Sequence, residues 1–205
     1  MLNMGTLTGR SCELVESLER RRVDFCVVQE TRWSCRRSRD IGHRKKEHVF
    51  KAVLCGSPRT TSGVGVIVSE RFRDSIVSVE RFDDRLMKII VATKERLYHF
   101  FSAYALQTGC SEQTKDEFWS LLDEKTAEVP SKDVIIVAGD LNRHVGATKD
   151  GYSCHGGFGC ESRNADGERI LDYEESHSLT IVNTVFRKRD THLISYYSGR
   201  ASKLS

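Results

Sequence analysis

Two short stretches of this chain are apolar along almost their whole length, and each stops at a carboxylate. Residues 23–28 (VDFCVV) run into Gln29-Glu30, and residues 134–138 (VIIVA) run into Gly139-Asp140. A run of this length with little polar alternation has no solvent face, so it predicts a strand in a sheet covered on both sides. Covered sheets need flanking layers. Residues 11–22 supply one helix, with Leu14, Val15 and Leu18 on one face and Glu16 four residues before Arg20. Residues 114–129 supply another, with Phe118, Leu121 and Leu122 as its apolar face, Thr114-x-x-Glu117 as a capping box and Pro130 closing it.

Shorter strand patterns fall at residues 2–6, 64–68, 88–92 and 97–105, the last two joined by the polar turn 93–96. Residues 167–177 have helical spacing, 179–183 are strand-like, and 150–163 are glycine-rich and read as a surface loop. The tail from Arg187 alternates weakly. Helices and strands interleave while several neighbouring strands are hairpin-linked. That pattern predicts an α/β fold with mixed sheets rather than a doubly wound parallel one. The 205 residues suit a single domain. No apolar run approaches the ~18 residues of a membrane span, and no membrane partner is expected.

The carboxylate tips carry the chemical argument. Ligands of α/β sheets bind at strand ends, where side chains leave the sheet for a crevice. Two acidic tips there can share a hard cation, and magnesium takes one or two carboxylates plus water and phosphate. Amides stand close by in sequence at Asn3, Gln29 and Asn142. An extended Asp140-Leu141-Asn142 would place both polar side chains on one side and turn Leu141 into the core.

Charge points to a polyanion. The net balance is only +3, but residues 1–60 carry 13 Lys/Arg against 7 Asp/Glu. Most of that excess lies between Arg32 and Lys51, a weakly periodic stretch that reads as a loop with a strand end. The seven cysteines include no Cys-x-x-Cys. Cys154, His155 and Cys160 form a local cluster without a fourth zinc ligand, so reduced thiols in an intracellular protein are expected. Gly63-x-Gly65 lacks a third glycine, and no Walker, His-Glu-x-x-His or Gly-x-Ser-x-Gly motif occurs.

Five segments in order resemble the endonuclease/exonuclease/phosphatase superfamily: Leu2-Asn3, residues 28–33 (VQETRW), Ser62-Gly63-Val64-Gly65, Tyr104-Ala105, and Gly139-Asp140-Leu141-Asn142. Residues 29–33 and 181–192 (IVNTVFRKRDTH) resemble the endonuclease domains of non-LTR retrotransposons and the craniofacial development protein 2-like group. The resemblance implies a four-layer α/β sandwich, two mixed sheets flanked by helices. It implies a Mg2+- or Mn2+-dependent phosphodiesterase that nicks DNA, with Glu30 as metal ligand and Asn3 supporting metal and phosphate. Asp140 would orient or deprotonate the attacking water, Asn142 would donate to the phosphoryl oxygen, and Tyr104 would hydrogen-bond the phosphate. A monomer is expected, located in the cell interior and, with DNA as partner through the stretch Arg32 to Lys51, in the nucleus.

Departures from the family pattern accompany the likeness. Leu106 stands where a proline commonly follows Tyr-Ala, Cys35 where glycine is usual, and Met4 where a β-branched residue is common. Only two residues precede Asn3, and nothing after His192 matches the family's closing Asp and Ser-Asp-His. His192 and His177 do not take that role; His177 is expected at a helix end. The domain is therefore expected to be truncated at both ends and its activity impaired. A non-catalytic nucleic-acid-binding remnant, or a phosphatase or phospholipase branch of the same superfamily, are the alternatives.

Overall fold

β1 (Leu2–Asn3) lies parallel to β2 (Phe25–Gln29), and α1 (Ser11–Arg20) makes the crossover between them. The same unit recurs later in the chain. β8 (Leu97–Tyr104) lies parallel to β9 (Val134–Asp140), joined by α3 (Glu112–Ala127). Each βαβ unit belongs to its own mixed sheet. The first sheet runs β1-β2-β5-β4-β3, completed by β3 (Ser38–Gly42), β4 (Val49–Cys55) and β5 (Val64–Ser69) in antiparallel pairing. The second runs β6-β7-β8-β9, with β6 (Ile76–Arg81) and β7 (Leu86–Ala92) antiparallel. A single helical turn, α2 (Glu70–Arg73), leads from one sheet to the other.

The structure, a computed structural model, describes all residues except 1, 4, 6, 8, 33–37, 43–48, 58–61, 108, 160–161, 188–193, 199–200 and 205. The chain divides into two units, Met1–Asn142 and Arg143–Ser205. In the first unit the sheets face each other across a core of Val27, Val53, Val64, Val66 and Val68 on one side and Met87, Ile89, Val91 and Tyr104 on the other. Strand alternation turns the opposite set, Cys26, Val28, Ala52, Leu54 and Ile67, toward Leu14, Val15 and Leu18 of α1. On the outer side of the second sheet lie Leu86, Lys88 and Phe101, all buried. There the Lys88 and Lys125 ammonium groups both approach the Phe82 ring, at 5.9 and 5.7 Å, with Lys125 coming from α3. The layer order is helix, sheet, sheet, helix, which is the four-layer α/β sandwich expected.

The second unit holds α4 (Ala165–Ser176), a 3-10 turn (Val182–Thr184) and the hairpin β10 (Ile194–Ser198) and β11 (Ala201–Leu204). Asn164 caps α4 by accepting from the Gly167 N–H at 2.8 Å.

Several local expectations change. The basic stretch is not simply a loop: β3 and the start of β4 lie within it, and they pair from Ser38↔Val53 to Gly42↔Val49. The cap of α3 is Ser111, whose hydroxyl accepts from the Thr114 N–H, and not Thr114 itself. Residues 179–183 hold only a single-residue bridge, Ile181 to His155, before the 3-10 turn. β6 was not anticipated, because residues 76–81 mix polar and apolar positions and no residue of the strand is fully buried.

Candidate active site

All five expected site residues fall in the first unit, at the same kind of place. Asn3 ends β1, Glu30 follows β2 directly, Tyr104 ends β8, and Asp140 ends β9 with Asn142 two residues on. Register aligns them in pairs, Asn3 beside Gln29 and Tyr104 beside Asp140. Parallel strands point their C-terminal ends the same way, so each βαβ unit delivers two polar tips to one edge of its sheet.

Glu30 is where the two sheets join chemically. Its Oε1 accepts from the Asn3 amide Nδ2 at 3.0 Å and from the Tyr104 hydroxyl at 2.6 Å. One donor comes from each sheet. The Asn3 amide oxygen in turn accepts the Gly5 N–H at 3.2 Å, which fixes the amide's orientation. Burial, then the Glu30 acceptor and the charges of Glu30 and Asp140, push the Tyr104 phenol up to about 12. Tyr104 therefore stays protonated and remains a donor at neutral pH. The Asp140 charge among these causes puts the second acidic tip within electrostatic reach of the Tyr104 hydroxyl.

The Asp140 segment differs from expectation. β9 ends at Asp140, and Asn142 takes a left-handed backbone with φ 54° rather than an extended one. The Asn142 N–H donates to Asp140 Oδ1 at 2.9 Å, and its side-chain amide donates to the Ala105 carbonyl at 2.8 Å. Leu141 is only half-buried. This is an Asx-type turn, which tethers one carboxylate oxygen of Asp140 to the backbone and clamps the chain after β9 against the chain after β8. Glu30 is also left-handed, with φ 52°.

Arg85 belongs to the site's support and carried no sequence signal. Its guanidinium donates to the Tyr104 and Ala105 carbonyls at 3.3 and 3.4 Å and lies 5.0 Å from the centre of the Tyr104 ring. Asp83 holds the turn that presents it, accepting from the Arg85 and Leu86 N–H groups, both at 2.7 Å. An open cleft of about 600 Å³ adjoins Arg85, bordered by Ser62, Phe82, Asp84, Leu106 and Phe118. Leu106, where the family commonly has proline, is buried there.

The site's donor set suits a hard cation. Among the described residues, Glu30 Oε2 has no hydrogen-bond partner, while Asn3 turns its amide nitrogen to Oε1 of the same carboxylate and its amide oxygen to the Gly5 N–H. Magnesium binds through one or two carboxylates and keeps several waters, so this sparse set is adequate. No group of three His, Cys, Asp or Glu able to hold a metal occurs among the described residues. His155 is buried, with Nε2 3.1 Å from the Gly146 carbonyl and Nδ1 accepting from the Gly157 N–H at 3.0 Å, which is a structural role. Cys160 and His192 lie outside the described residues; His177 is the helix-end residue of α4. Of the basic stretch, residues 33–37 and 43–48 lie outside them too, while Arg32 and Arg39 are exposed. No described helix is long and apolar enough to cross a membrane.

Comparison with known proteins bears on the fold. No family model matches the chain. It is 24% identical over 191 residues to craniofacial development protein 2 of Bos taurus, and 23% identical to that of Tragulus javanicus. The match covers 93% of this chain in both cases but only 31% and 32% of those relatives, so the chain spans about a third of their length. Among solved structures, it superposes on the endonuclease domain of TRAS1, a telomere-specific non-LTR retrotransposon, with TM-score 0.58 at 14% identity. That match covers 94% of this chain and 76% of the other. The Xenopus laevis APE2 catalytic domain gives TM-score 0.58 at 14% identity, covering 84% and 65%. An AP endonuclease from Archaeoglobus fulgidus gives 0.52 at 18%, covering 83% and 66%. These neighbours share the endonuclease/exonuclease/phosphatase fold, and this chain has that fold.

Proposed function

We propose that this chain is a divalent-metal-dependent nuclease domain acting on the phosphodiester backbone of DNA. One observation carries the reading: Asn3, Glu30, Tyr104 and Asp140 meet at the C-terminal tips of two βαβ units, with Glu30 bonded from both sheets. Glu30 and Asn3 would hold Mg2+ or Mn2+, which when bound neutralises phosphate charge and activates water. The chain's own groups supply the rest. Asp140, tethered through Oδ1, keeps its other oxygen as proton acceptor for the attacking water. Asn142 would donate to a phosphate oxygen as charge develops, and Tyr104 would do so by turning its single O–H from Glu30 to the phosphate.

The test is nicking of supercoiled plasmid with Mg2+, beside Asp140→Ala and Glu30→Gln variants. Nicking that needs metal and vanishes in both variants supports the proposal. Salt-sensitive DNA binding without any nicking would replace it with the non-catalytic reading. Turnover of a phosphomonoester or sphingomyelin in preference to DNA would move the chain to another branch of the fold.

A further inference from the structure

The side chain of Arg85 stands in for a main-chain bond. In the β7–β8 ladder Leu86 faces Ala103, so the next pair in register is Arg85 and Tyr104. Antiparallel residues at a hydrogen-bonded position exchange two N–H···O bonds. Here one of the two forms: the Tyr104 N–H donates to the Arg85 carbonyl at 2.8 Å. The reciprocal donor is diverted, because the Arg85 N–H donates to Asp83 Oδ1 at 2.7 Å. That leaves the carbonyl of Tyr104, the last residue of β8, without its ladder donor. The Arg85 guanidinium fills the place, with Nη1 donating to that carbonyl at 3.3 Å.

The same nitrogen reaches the next peptide. Nη1 lies 3.4 Å from the Ala105 carbonyl oxygen, which also accepts the Asn142 side-chain amide at 2.8 Å. The Ala105 N–H donates to the Asp140 carbonyl at 2.9 Å. β8 lies between β7 and β9, so Arg85 reaches Ala105 from one flank while Asp140 and Asn142 reach it from the other. The guanidinium also stands 5.0 Å from the centre of the Tyr104 ring, within cation–π range. One side chain thus holds the ring of Tyr104, its carbonyl and the peptide that follows. The part of Tyr104 left to turn is the hydroxyl hydrogen.

We infer that Arg85 is a positioning residue: by closing the β8 tip it sets the Tyr104 hydroxyl and the Asn142 amide in place, acting through them and not on the substrate. The catalytic consequence rests on the nuclease reading; the coupling of the two strand tips through Ala105 does not. A displacement of about 1 Å in reacting groups costs on the order of 10²-fold in rate.

Hydrogen exchange reads the coupling without any activity. In Arg85→Ala the backbone amides of Ala105 and Asn142 should exchange about tenfold faster. The Phe100 amide, inside the ladder opposite Ile89, should change much less. Acceleration of all three by one factor would mean general destabilisation, and no acceleration would mean that Arg85 holds neither tip; either result overturns the proposal. Kinetics read the positioning. Arg85→Ala should lower kcat for plasmid nicking about a hundredfold and leave KM within about twofold. Methylguanidinium added to Arg85→Ala should raise kcat again, with saturation, and should leave Asp140→Ala inactive. An unchanged kcat overturns positioning, and a raised KM beside it would make Arg85 a ligand of the DNA phosphates instead. A wild-type chain that does not nick defeats the nuclease reading and the catalytic role together, while the exchange rates still decide the coupling.

Discussion

Glu30 and Asn142 both sit in left-handed backbone, with φ 52° and 54°. Asparagine tolerates that region; glutamate does so less readily, at a cost of about 1–3 kcal/mol. Glu30 is held there by the donors it gathers, and Tyr104 is the stronger of these. Removing the phenol in Tyr104→Phe should therefore destabilise the fold, with a defined pH profile. The folded value of about 12 lies above that of free tyrosine. The contribution is therefore complete below about pH 10 and fades as pH rises through 12. The melting-temperature gap between wild type and Tyr104→Phe should be constant from pH 6 to 9 and shrink above 10. Glu174, buried on α4, gives a second case: burial pushes its carboxyl up to about 7. The folded state then holds a proton that the unfolded state releases above its usual carboxylate range, so stability falls as pH rises from about 5 to 7. Glu174→Gln should be nearly neutral at pH 4.5 and stabilising at pH 8, on the order of 1–3 kcal/mol, measured by denaturant midpoints at the two pH values. The identities of Glu30 and Asp140 were readable as carboxylates ending apolar runs. Their conformations were not, because a left-handed φ at a non-glycine residue leaves no mark in the pattern of side chains.

At the scale of elements, the strands and helices of the two βαβ units were visible, and the tight approach of two strands within the second was not. β8 and β9 pair through Ala103 and Gly139, and a Cβ added at Gly139 would lie 1.7 Å from the Ala103 carbonyl oxygen. Backbone cannot yield as a flexible side chain does, so the strands can pair at this register only with glycine at 139. Gly139→Ala should cost about 3 kcal/mol or more, seen as a lowered denaturant midpoint, and should pull Asp140 away from Tyr104. A midpoint within experimental error of wild type would mean that the strand ends are looser than this register. In sequence, Gly139 reads only as the residue before an acid. The β3–β4 hairpin was hidden for a different reason: its edge strand SRDIG is polar, with three exposed residues at its start, so no alternation announces it. The helices were easier to read, because Leu14, Val15 and Leu18 mark the buried face of α1 directly. The cap of α3 depends on a single hydroxyl, and a Ser three residues before a Thr competes for the same role.

For the whole molecule, charge is the property that the fold rearranges most. The stretch between Arg32 and Lys51 holds eight basic residues and two acidic ones. In sequence it follows the proposed metal ligand immediately, yet β3 lies at the edge of its sheet, separated from β2 by β4 and β5. β3 runs antiparallel to β2, so its Ser38 end is the one nearer the level of the Glu30 tip. Exposed Arg32 at the tip and exposed Arg39 on the edge strand thus bracket one border of the first sheet. A duplex crossing the Glu30–Asp140 tips and this border would be held chiefly through its phosphates, without base readout. Binding of that kind is driven by counterion release, and its affinity falls with a log–log slope near −0.9 per phosphate neutralised. Three to five contacts give a slope of roughly −3 to −5. The double charge reversal Arg32→Glu with Arg39→Glu should flatten that slope by about two units while leaving Tm within 2 °C of wild type, since both side chains are exposed. If the slope is unchanged, the phosphates lie against a different face, and the positive balance of the first sixty residues serves solubility rather than DNA.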